Sequence, residues 1–326
     1  MRIAVLAGGV GGARFLRGVR AACAGDDITA IVNTGDDVTL HGLRVCPDLD
    51  SVMYTLGGVH DEDRGWGRRG ETWRIRDELD SYGAEPAWFA LGDLDIATHL
   101  VRTRMLDAGY PLSDVTAALC RRWHPGVRLL PMSDQRVETH VVVDLADDDL
   151  ADSDVARRRA IHFQEWWVRH RAALPAHAFV QVGADEAQPA PGVLEAITSA
   201  DVVLLAPSNP VVSIGTILGV PGIRETVVGG PAPVIGVSPI VGGAPVRGMA
   251  DACLPAIGVP VTAEGVGRHY GARPEGGLLD GWLVHLTDTA DLPGAEVRQT
   301  SLLMTDDAAT AAMVQVALDV AKRARA

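Results

Sequence analysis

Residues 3–14 read Ile-Ala-Val-Leu-Ala-Gly-Gly-Val-Gly-Gly-Ala-Arg, an apolar run that breaks into four glycines within five positions. This pattern predicts a buried strand, a tight turn and the N-terminus of a helix. Glycine lets a backbone pass close to a ligand, and the first N–H groups of a helix favour an anion. We therefore expect the turn formed by Gly8, Gly9, Gly11 and Gly12 to bind phosphate. The alternative is that these glycines serve only to make the turn tight.

The glycine turn fits neither of the common phosphate motifs. It lacks the Gly-Lys-Ser/Thr ending of a Walker loop. The dinucleotide pattern requires glycine or alanine three residues after its second glycine, and Arg14 stands at that place. Because an arginine in the first helical turn can donate two hydrogen bonds to phosphate, Arg14 joins the predicted site. A Rossmann dehydrogenase with Asp36 as its ribose ligand stays open as an alternative.

Composition and charge limit the class of protein. The chain has 326 residues, 47% of them hydrophobic, which is enough for a large core. Its net charge of −13 argues against a general binder of nucleic acid or of anionic membranes. Its four cysteines show no paired spacing, which indicates reduced thiols. With no signal peptide evident and no apolar run of the roughly 20 residues that a membrane span needs, we expect a cytoplasmic protein.

Strand-like runs alternate with helical patterns along much of the chain. We predict strands at residues 2–7, 29–33, 178–183, 202–207, 233–238 and 281–286. This alternation predicts an α/β fold with a Rossmann-like, doubly wound and mostly parallel sheet. Residues 1–47 and 172–326 are assigned to its nucleotide- and phosphate-binding core. Residues 48–171, where helical patterns predominate, are predicted to form a largely helical insertion that covers the ligand crevice.

Two charged segments lie within the predicted insertion. Residues 144–154 are rich in aspartate, and we expect a solvated loop there in preference to a metal site. Residues 64–69 read Arg-Gly-Trp-Gly-Arg-Arg. This second segment fits a mobile loop that closes on a polyanion and, equally well, an exposed cationic loop.

Two acidic clusters follow the second predicted strand. The strand ends in Asn33-Thr34-Gly35-Asp36-Asp37, and Pro47-Asp48-Leu49-Asp50 comes shortly afterwards. Ligands of a doubly wound sheet bind beyond the carboxyl ends of its strands, so these side chains should lie near the predicted phosphate site. Carboxylates repel phosphate unless a cation lies between them, and Mg²⁺ is the usual solution. We therefore predict Mg²⁺ as a cofactor, although Asp48 could instead be the N-cap of a helix.

Three later segments supply further candidate ligand groups. Asp93 and Asp95 precede a helix whose first turns carry Thr98 and His99, and one of the two aspartates is expected to be a cap. Thr98, His99 and Arg102 could reach a ligand there, or the histidine could be structural. Residues 161–169 combine aromatic and polar side chains around Trp166, which fits either the core or the wall of a slot for a flat ring.

The third segment is the rigid turn at residues 206–210. It reads Ala-Pro-Ser-Asn-Pro and follows the strongest late strand. Ser208 and Asn209 should therefore lie at the carboxyl edge of the sheet, where they could bind a base, sugar or phosphate. The alternative is a plain turn between a strand and a helix.

Taken together, these motifs resemble the 2-phospho-L-lactate transferases, which act in the biosynthesis of the deazaflavin coenzyme F-420. The resemblance rests on motifs that run in order across nearly the whole chain: Gly8-Gly9-Val10-Gly11-Gly12, Asn33-Thr34-Gly35-Asp36-Asp37, Pro47-Asp48-Leu49-Asp50, Leu91-Gly92-Asp93, Ala97-Thr98-His99, His162-Phe163-Gln164, Pro207-Ser208-Asn209-Pro210 and Ser238-Pro239-Ile240. Residues 41–56 and 161–169 look especially like the actinobacterial branch, whose donor carries phosphoenolpyruvate or 2-phospho-L-lactate.

The resemblance implies a Mg²⁺-dependent transfer. A three-carbon acid with its phosphate would move from a guanosine diphosphate-linked donor to the ribityl hydroxyl of the deazaflavin Fo, with release of GMP. The metal would be bound by the aspartates of the two acidic clusters, Asp36, Asp37, Asp48 and Asp50. Asp50 and Asp37 would also be the catalytic carboxylates. The implied substrate-binding residues are Gly8, Gly9, Gly11, Gly12 and Arg14 at the diphosphate, Ser208 and Asn209 at the guanosine, Trp166 at the deazaflavin and Asp50 at the acceptor hydroxyl. Asn33, Thr34, Thr98 and His99 complete the set without an assigned part of the substrate.

One departure from the family pattern concerns the stretch before Leu91. Archaeal relatives carry a basic residue there, whereas this chain has Trp88-Phe89-Ala90. An aromatic contact from Trp88 or Phe89 to the deazaflavin is therefore expected in place of a cation.

A sister group of nucleotide-sugar-binding regulators offers a second interpretation. Its members share the glycine turn and a similar double-aspartate turn, and they need not be enzymes. The Pro-Asp-Leu-Asp cluster and the Ala-Thr-His motif favour the transferase. A homodimer is the expected assembly for a soluble enzyme of this size.

Overall fold

A seven-stranded sheet forms the centre of the molecule, in a computed structural model that describes residues 1–145 and 157–325. With strands numbered in chain order, its members are β1 (Arg2–Ala7), β2 (Asp27–Val32), β5 (Arg128–Pro131), β9 (Val202–Leu205), β10 (Val234–Val237), β13 (Gly281–His285) and β14 (Glu296–Thr300). They lie in the order β14-β13-β10-β9-β1-β2-β5, and all neighbours are parallel. The order runs outward from β1 in both directions, which confirms the predicted doubly wound α/β fold.

The remaining strands form small antiparallel sheets. These strands are β3 (Val38–Leu40), β4 (Leu43–Val45), β6 (Glu138–Leu145), β7 (Arg157–His162), β8 (Ala178–Val182), β11 (Ile240–Val241) and β12 (Ala244–Pro245). Strands β6, β7 and β8 pair in the order β7-β6-β8, while β3–β4 and β11–β12 are two-stranded. The β3–β4 hairpin matters for the site because it follows Asp36 and Asp37 directly.

Helices cover both faces of the central sheet. They are α1 (Gly9–Ala22), α2 (Pro47–Leu56), α3 (Arg74–Ser81), α4 (Asp93–Asp107), α5 (Leu112–Trp123), α6 (Val193–Thr198), α7 (Ile214–Gly219), α8 (Ile223–Gly229), α9 (Ala250–Cys253), α10 (Ala263–Tyr270) and α11 (Asp307–Ala324). A π-helix spans Glu165–Arg169, and further short turns are 3-10 helices. None of the helices in the described part of the chain is long and apolar enough to span a membrane.

The first strand shows why this sequence forms a covered parallel sheet. Its residues from Ile3 to Ala7 are all buried, as expected for a strand with helices on both faces. Ile3, Val5 and Ala7 belong to the core built with α1, α2 and α11, while Ala4 and Leu6 belong to the core on the opposite face. The alternation of a strand thus divides one short apolar run between two hydrophobic cores.

Three features of the sheets differ from the sequence-based expectation. The predicted strand at 178–183 is β8, which pairs antiparallel with β6 outside the central sheet. The central sheet gains β5 and β14, which the sequence pattern did not reveal. Strand β5 has only four residues, and β14 is a polar edge strand that reads Glu-Val-Arg-Gln-Thr.

The segment 48–171 holds the helices predicted for it, α2 to α5. It also supplies β6 and β7 to the antiparallel sheet and β5 to the central sheet. The division of the chain into a core and an inserted domain stays a prediction. Of the aspartate-rich run 144–154, all but residues 144 and 145 lie outside the described residues, so the expected solvated loop there is also still a prediction.

Candidate functional site

The glycine turn lies between β1 and α1, at the point where the strand order reverses. Gly9 has φ +63°, in the left-handed region that favours glycine. A Cβ on Gly12 would lie 2.7 Å from Ser208 Oγ, and one on Gly8 would lie 2.6 Å from Asp48 Oδ2. The glycines therefore let α1, the turn after β9 and α2 meet closely around one backbone segment. Gly8, the N-cap residue of α1, has no side chain that could cap the helix, and the N–H of Gly9 donates to Asp48. The dipole of α1 still favours an anion at this end of the helix.

Ser208 and Asn209 lie at the carboxyl edge of the sheet, as predicted. Ser208 Oγ accepts a hydrogen bond from Gly8 N at 3.0 Å and donates to Gly8 O at 2.7 Å. Asn209 Oδ1 accepts from Val211 N at 2.9 Å. Both side chains thus hold the turns around the crevice, and the guanosine contact expected from them stays a prediction.

Asp48 faces the glycine turn rather than the start of its own helix. The N-cap of α2 is Cys46, and Asp48 makes no capping bond to that helix. Instead, its carboxylate accepts hydrogen bonds from Gly9 N and from Asn33 Nδ2, the latter at 2.9 Å. The alternative that Asp48 is an N-cap is therefore wrong.

Asp36 and Asp48 form a buried carboxylate pair. Burial and then repulsion from Asp48 raise the pKa of Asp36 well above its usual value. Burial likewise raises the pKa of Asp48 to about 6, against the hydrogen bonds from Asn33 and Gly9. Asp36 Oδ1 has no hydrogen-bond partner among the described residues. Two buried carboxylates without a cation between them are the arrangement that a divalent metal would relieve.

Asp37 differs from Asp36 because it has a cationic partner. Arg44, on the β3–β4 hairpin, lies with Nη2 3.1 Å from Asp37 Oδ2. Burial raises the pKa of Asp37 to about 6, and the charge of Arg44 opposes this rise. His162 Nε2 lies 3.2 Å from the Asp37 carbonyl oxygen. Because Gln164 N donates to His162 Nδ1, the ring proton is on Nε2, which donates a hydrogen bond to that oxygen.

Asp50 belongs to a second buried charge network, between α2 and α4. Arg102, which is 1% exposed, donates from Nη2 to Asp50 Oδ1. Its Nη1 lies 3.1 Å from His99 Nδ1. Because a guanidinium can only donate, Nδ1 of His99 accepts and the ring proton is on Nε2. Asp50 Oδ2 lies 3.7 Å from His99 Nδ1 and has no hydrogen-bond partner among the described residues.

Asp95 completes this network, whereas Asp93 acts on another helix. Tyr54 OH donates to Asp95 Oδ1 at 2.6 Å, and His99 Nε2 lies 3.5 Å from Asp95 Oδ2. Asp93 accepts from the backbone N–H groups of Arg74 and Ile75 and so caps α3. Neither aspartate caps α4, whose N-cap is Gly92, so the expected cap is wrong for that helix, and Asp93 instead caps the helix before its own.

Several polar atoms in this region have no partner among the described residues. Besides Asp36 Oδ1 and Asp50 Oδ2, they include Asp37 Oδ1 and Thr34 Oγ1. Buried polar atoms without partners are costly, so such a cluster favours a ligand, an ion or water. The described residues hold no group of three His, Cys, Asp or Glu side chains arranged as a metal cage. Mg²⁺ needs fewer protein ligands, because it keeps waters and uses substrate phosphates.

Arg14 lines a cavity on the other side of the glycine turn. Gly11, Pro207, Ser238 and Arg247 also line it, together with apolar side chains that follow β10 and β14. The carboxyl edge of the sheet is therefore basic on the β10 side of the glycine turn and acidic on the β2 side.

The predicted aromatic residues have separate locations. Trp166 is fully buried, donates from Nε1 to Leu174 O at 2.8 Å and packs against Phe163 and Phe179. This position corrects the predicted contact between Trp166 and a flat ligand, because its side chain belongs to the core. Trp88 and Phe89 are partly buried in edge-to-face contact, and Phe89 packs on a small cluster near α4. Their contact with the deazaflavin stays a prediction.

The arginines of residues 64–69 are engaged with the protein. Arg64 pairs with Asp61 at 3.0 Å and lies over the rings of Trp66 and Trp73. Arg68 is 9% exposed and donates to Leu94 O at 2.8 Å. Arg69 is exposed and donates to Gly58 O at 2.9 Å. The three arginines are thus bonded to the protein in this conformation, and closure of the segment on a polyanion stays a prediction.

The structure brings most of the predicted site residues to one edge of the sheet. Residues that sequence reasoning missed include Arg44, Tyr54, His162 and Arg247, and Arg102 was seen only as lying near the predicted ligand. Arg102 lies three residues after His99 on α4, which places both on one helix face and was a readable signal. Arg247 lies in a glycine-rich stretch without periodicity, and no local pattern marks it.

The fold and the site together define a class of protein, an α/β protein with buried carboxylates and a glycine turn at the topological switch point of its doubly wound sheet. Residues 3–323 match the family 2-phospho-L-lactate transferase CofD. The chain belongs to this family.

Curated relatives agree with this assignment, and a solved structure shares the fold. A phosphoenolpyruvate transferase of Nocardia farcinica is 62% identical over 98% of this chain and 95% of its own. Proteins of the same name from Mycolicibacterium smegmatis and Streptomyces griseus are 59% and 60% identical over nearly the whole of both chains. A crystal structure of a UPF0052 family member from Bacillus halodurans has a TM-score of 0.61, 18% identity and coverage of 97% of this chain and 98% of its own. That likeness shows the fold alone.

Proposed function

We propose that the protein transfers a phosphoenolpyruvyl group from a guanosine diphosphate-linked donor to the ribityl hydroxyl of the deazaflavin Fo, with release of GMP, in coenzyme F-420 biosynthesis. Family membership supports the transferase reaction. The names of the three curated relatives described above support phosphoenolpyruvate over 2-phospho-L-lactate as the acid. We set aside the second interpretation, a nucleotide-sugar-binding regulator, because the transferase family matches residues 3–323.

One observation carries the proposal: four buried carboxylates follow β2 and begin α2, and one of them, Asp48, bonds to the glycine turn at the start of α1. Asp48 lies against the glycine turn and Asp36 lies beside Asp48, and neither has a cationic partner among the described residues. Asp37 and Asp50 are each held by an arginine. A site of this kind suits phosphoryl-group transfer, where positioning and charge stabilisation supply most of the catalysis.

We assign the metal to Asp36 and Asp48. Both are buried beside the phosphate turn, and their mutual repulsion would be relieved by a cation. When bound, Mg²⁺ would stabilise the negative charge on the transferred phosphoryl group. Asp37 and Asp50 were also predicted as metal ligands from the sequence. Because they already have Arg44 and Arg102 as partners, we do not assign the metal to them first.

The acceptor is activated by Asp50. Its Oδ1 is fixed by Arg102, which leaves Oδ2 free to accept a hydrogen bond from the ribityl hydroxyl. The hydroxyl oxygen then forms a bond to the phosphorus that bears the acid. The bond from this phosphorus to the bridging oxygen of the diphosphate breaks, and GMP leaves with those electrons. The hydroxyl proton passes to Asp50, with Asp37 as the neighbouring second carboxylate.

Turnover with each donor tests this function. The protein would be incubated with Mg²⁺, Fo and either the phosphoenolpyruvyl or the 2-phospho-L-lactyl donor, and GMP would be measured by chromatography, with EDTA as a control. We expect metal-dependent GMP release that requires Fo and is faster with the phosphoenolpyruvyl donor. No GMP from either donor would contradict the proposal, and binding of a nucleotide sugar would then support the regulator. We also propose a homodimer and a cytoplasmic location, which sedimentation and fractionation would test.

A further inference from the structure

Two arginines face one cavity beside the glycine turn. Arg14 comes from the first turns of α1, and Arg247 comes from the loop between β12 and α9. They are the charged residues among those that line the cavity, whose other walls are mainly apolar. A pair of like charges on one cavity is unfavourable unless an anion joins them.

The carboxylates nearby do not neutralise this pair. Within residues 1–145 and 157–325, neither Arg14 nor Arg247 forms an ion pair. Glu62 pairs with Arg17 at 2.6 Å, and Asp61 pairs with Arg64 at 3.0 Å. Arg247 donates a long hydrogen bond from Nη2 to Gly65 O, at 3.5 Å. Its guanidinium is therefore available to a stronger acceptor.

A third basic side chain lies near the two arginines. His60 is 5% exposed, and neither of its ring nitrogens has a partner among the described residues. Burial and then the charges of Arg14 and Arg247 lower the pKa of His60. Burial and the charge of Arg14 also lower the pKa of Arg247. These effects indicate an uncompensated positive potential next to the glycine turn.

We propose that Arg247 and Arg14 together bind one oxyanion of the donor in this cavity. The inference rests on the proposed function for the identity of the donor. Guanidinium groups suit phosphate and carboxylate alike, because both accept two parallel hydrogen bonds. The oxyanion is therefore a phosphate oxygen of the guanosine diphosphate or the carboxylate of the three-carbon acid. The acidic side of the crevice is left to Mg²⁺ and to the acceptor hydroxyl.

The test compares Arg247→Ala with Arg224→Ala. Arg224 is exposed on α8 and does not line the cavity, so its variant removes the same charge elsewhere. Binding of GDP in the presence of Mg²⁺ would be measured by calorimetry, and KM and kcat would be measured with the phosphoenolpyruvyl donor. Because Arg247 is exposed, we expect the melting temperature of its variant to be retained.

Two results support the inference and identify the source of the anion. If Arg247 binds a nucleotide phosphate, its variant weakens GDP binding by roughly 10- to 100-fold, the usual value of a hydrogen bond to a charged group. If it binds the carboxylate, GDP affinity is unchanged and the KM for the donor rises by a similar factor. Arg247→Lys should keep part of the affinity in either case.

The inference is overturned if Arg247→Ala changes neither GDP affinity nor the donor KM, or if Arg224→Ala gives the same loss. Failure of the proposed function looks different. A wild-type protein that binds GDP through Arg247 but never releases GMP from the donor would contradict the transferase and leave the anion site in place.

Discussion

The four buried aspartates of the site differ in their neighbours, and the neighbours divide them into two pairs. Arg44 and Arg102 hold Asp37 and Asp50, whereas Asp36 lies beside Asp48 with no cation between them. The sequence predicted that these carboxylates lie together, because they follow one strand and begin the next helix. It did not predict which of them have cationic partners, because Arg44 lies on the β3–β4 hairpin and Arg102 lies on α4, which is distant in the chain.

Asp48→Asn tests the metal assignment. The amide keeps the size of the side chain but removes its charge beside Asp36. We expect kcat to fall about 100-fold or more, since a bound metal supplies several kcal/mol of charge stabilisation. Steady-state turnover over a Mg²⁺ titration is the measurement, and Asp185→Asn, at an exposed position, is the matched control. A normal kcat at ordinary Mg²⁺ concentration would contradict the assignment.

Arg102→Met tests the role of the buried pair that fixes Asp50. Removing one partner leaves an unpaired buried charge, so we expect the free energy of unfolding to fall by about 3–5 kcal/mol. Adding Asp50→Leu to this variant removes the orphaned charge. The double variant should regain stability in a denaturant titration but should stay inactive. Recovery of turnover in the double variant would show that Asp50 has no part in the reaction.

At the scale of elements, the strand, turn and helix at residues 3–14 were the most predictable part of the molecule. Their pattern is local, and β1 and α1 form where it places them. The reason for glycine at position 12 is not local, because it depends on the turn after β9. Ser208 Oγ would lie 2.7 Å from a Cβ at this position.

Gly12→Ala should therefore push α1 away from β1 and the turn after β9. We expect a higher KM for the donor and a lower melting temperature, because the phosphate turn loses its close packing. Gly219→Ala, at the end of α7, is the control, since an added Cβ there meets no atom within 4 Å. Equal behaviour of the two variants in thermal unfolding and kinetics would show that the turn tolerates a side chain.

The π-helix at Glu165–Arg169 was beyond the reach of sequence reasoning. Interleaved polar and aromatic residues allowed either a ligand slot or a core, and the choice depended on β8, whose Phe179 contacts Trp166. The strand at 178–183 was predicted from its local pattern, but its antiparallel pairing with β6 was not, because pairing joins residues far apart in the chain.

Trp166→Phe and Phe89→Leu form a contrasting pair. We expect Trp166→Phe to lower the stability by about 1–3 kcal/mol with an unchanged KM for Fo, because the indole belongs to the core. Phe89→Leu should raise the KM for Fo if its ring contacts the acceptor. Acceptor titrations at saturating donor measure both. A raised KM for Fo in Trp166→Phe but not in Phe89→Leu would indicate that Trp166 contacts the acceptor.

At the scale of the whole molecule, the carboxyl edge of the sheet is divided by charge. The glycine turn lies at the boundary, with the cavity of Arg14 and Arg247 towards β10 and the aspartates towards β2. The alternation of strands and helices was enough to predict the edge and the switch point. The sequence did not reveal β14, because an exposed edge strand does not need the apolar run that marks a buried one.

Mg²⁺ should stabilise the folded protein as a whole. A ligand that binds only the folded state raises its melting temperature in proportion to the logarithm of its concentration. We expect Mg²⁺ to raise the melting temperature, GDP to raise it further in the presence of Mg²⁺, and EDTA to cancel both effects. Thermal unfolding of the wild type and of Asp48→Asn measures this, and an equal response of the variant would place the metal elsewhere.

The most direct measurement is the mass spectrum of Fo after incubation with the protein, Mg²⁺ and the phosphoenolpyruvyl donor. The account predicts a new species whose mass equals Fo plus one phosphoenolpyruvyl group joined as a phosphodiester, formed together with GMP and absent in EDTA. Unchanged Fo beside a donor that stays intact, from a folded protein with Mg²⁺ present, would contradict it.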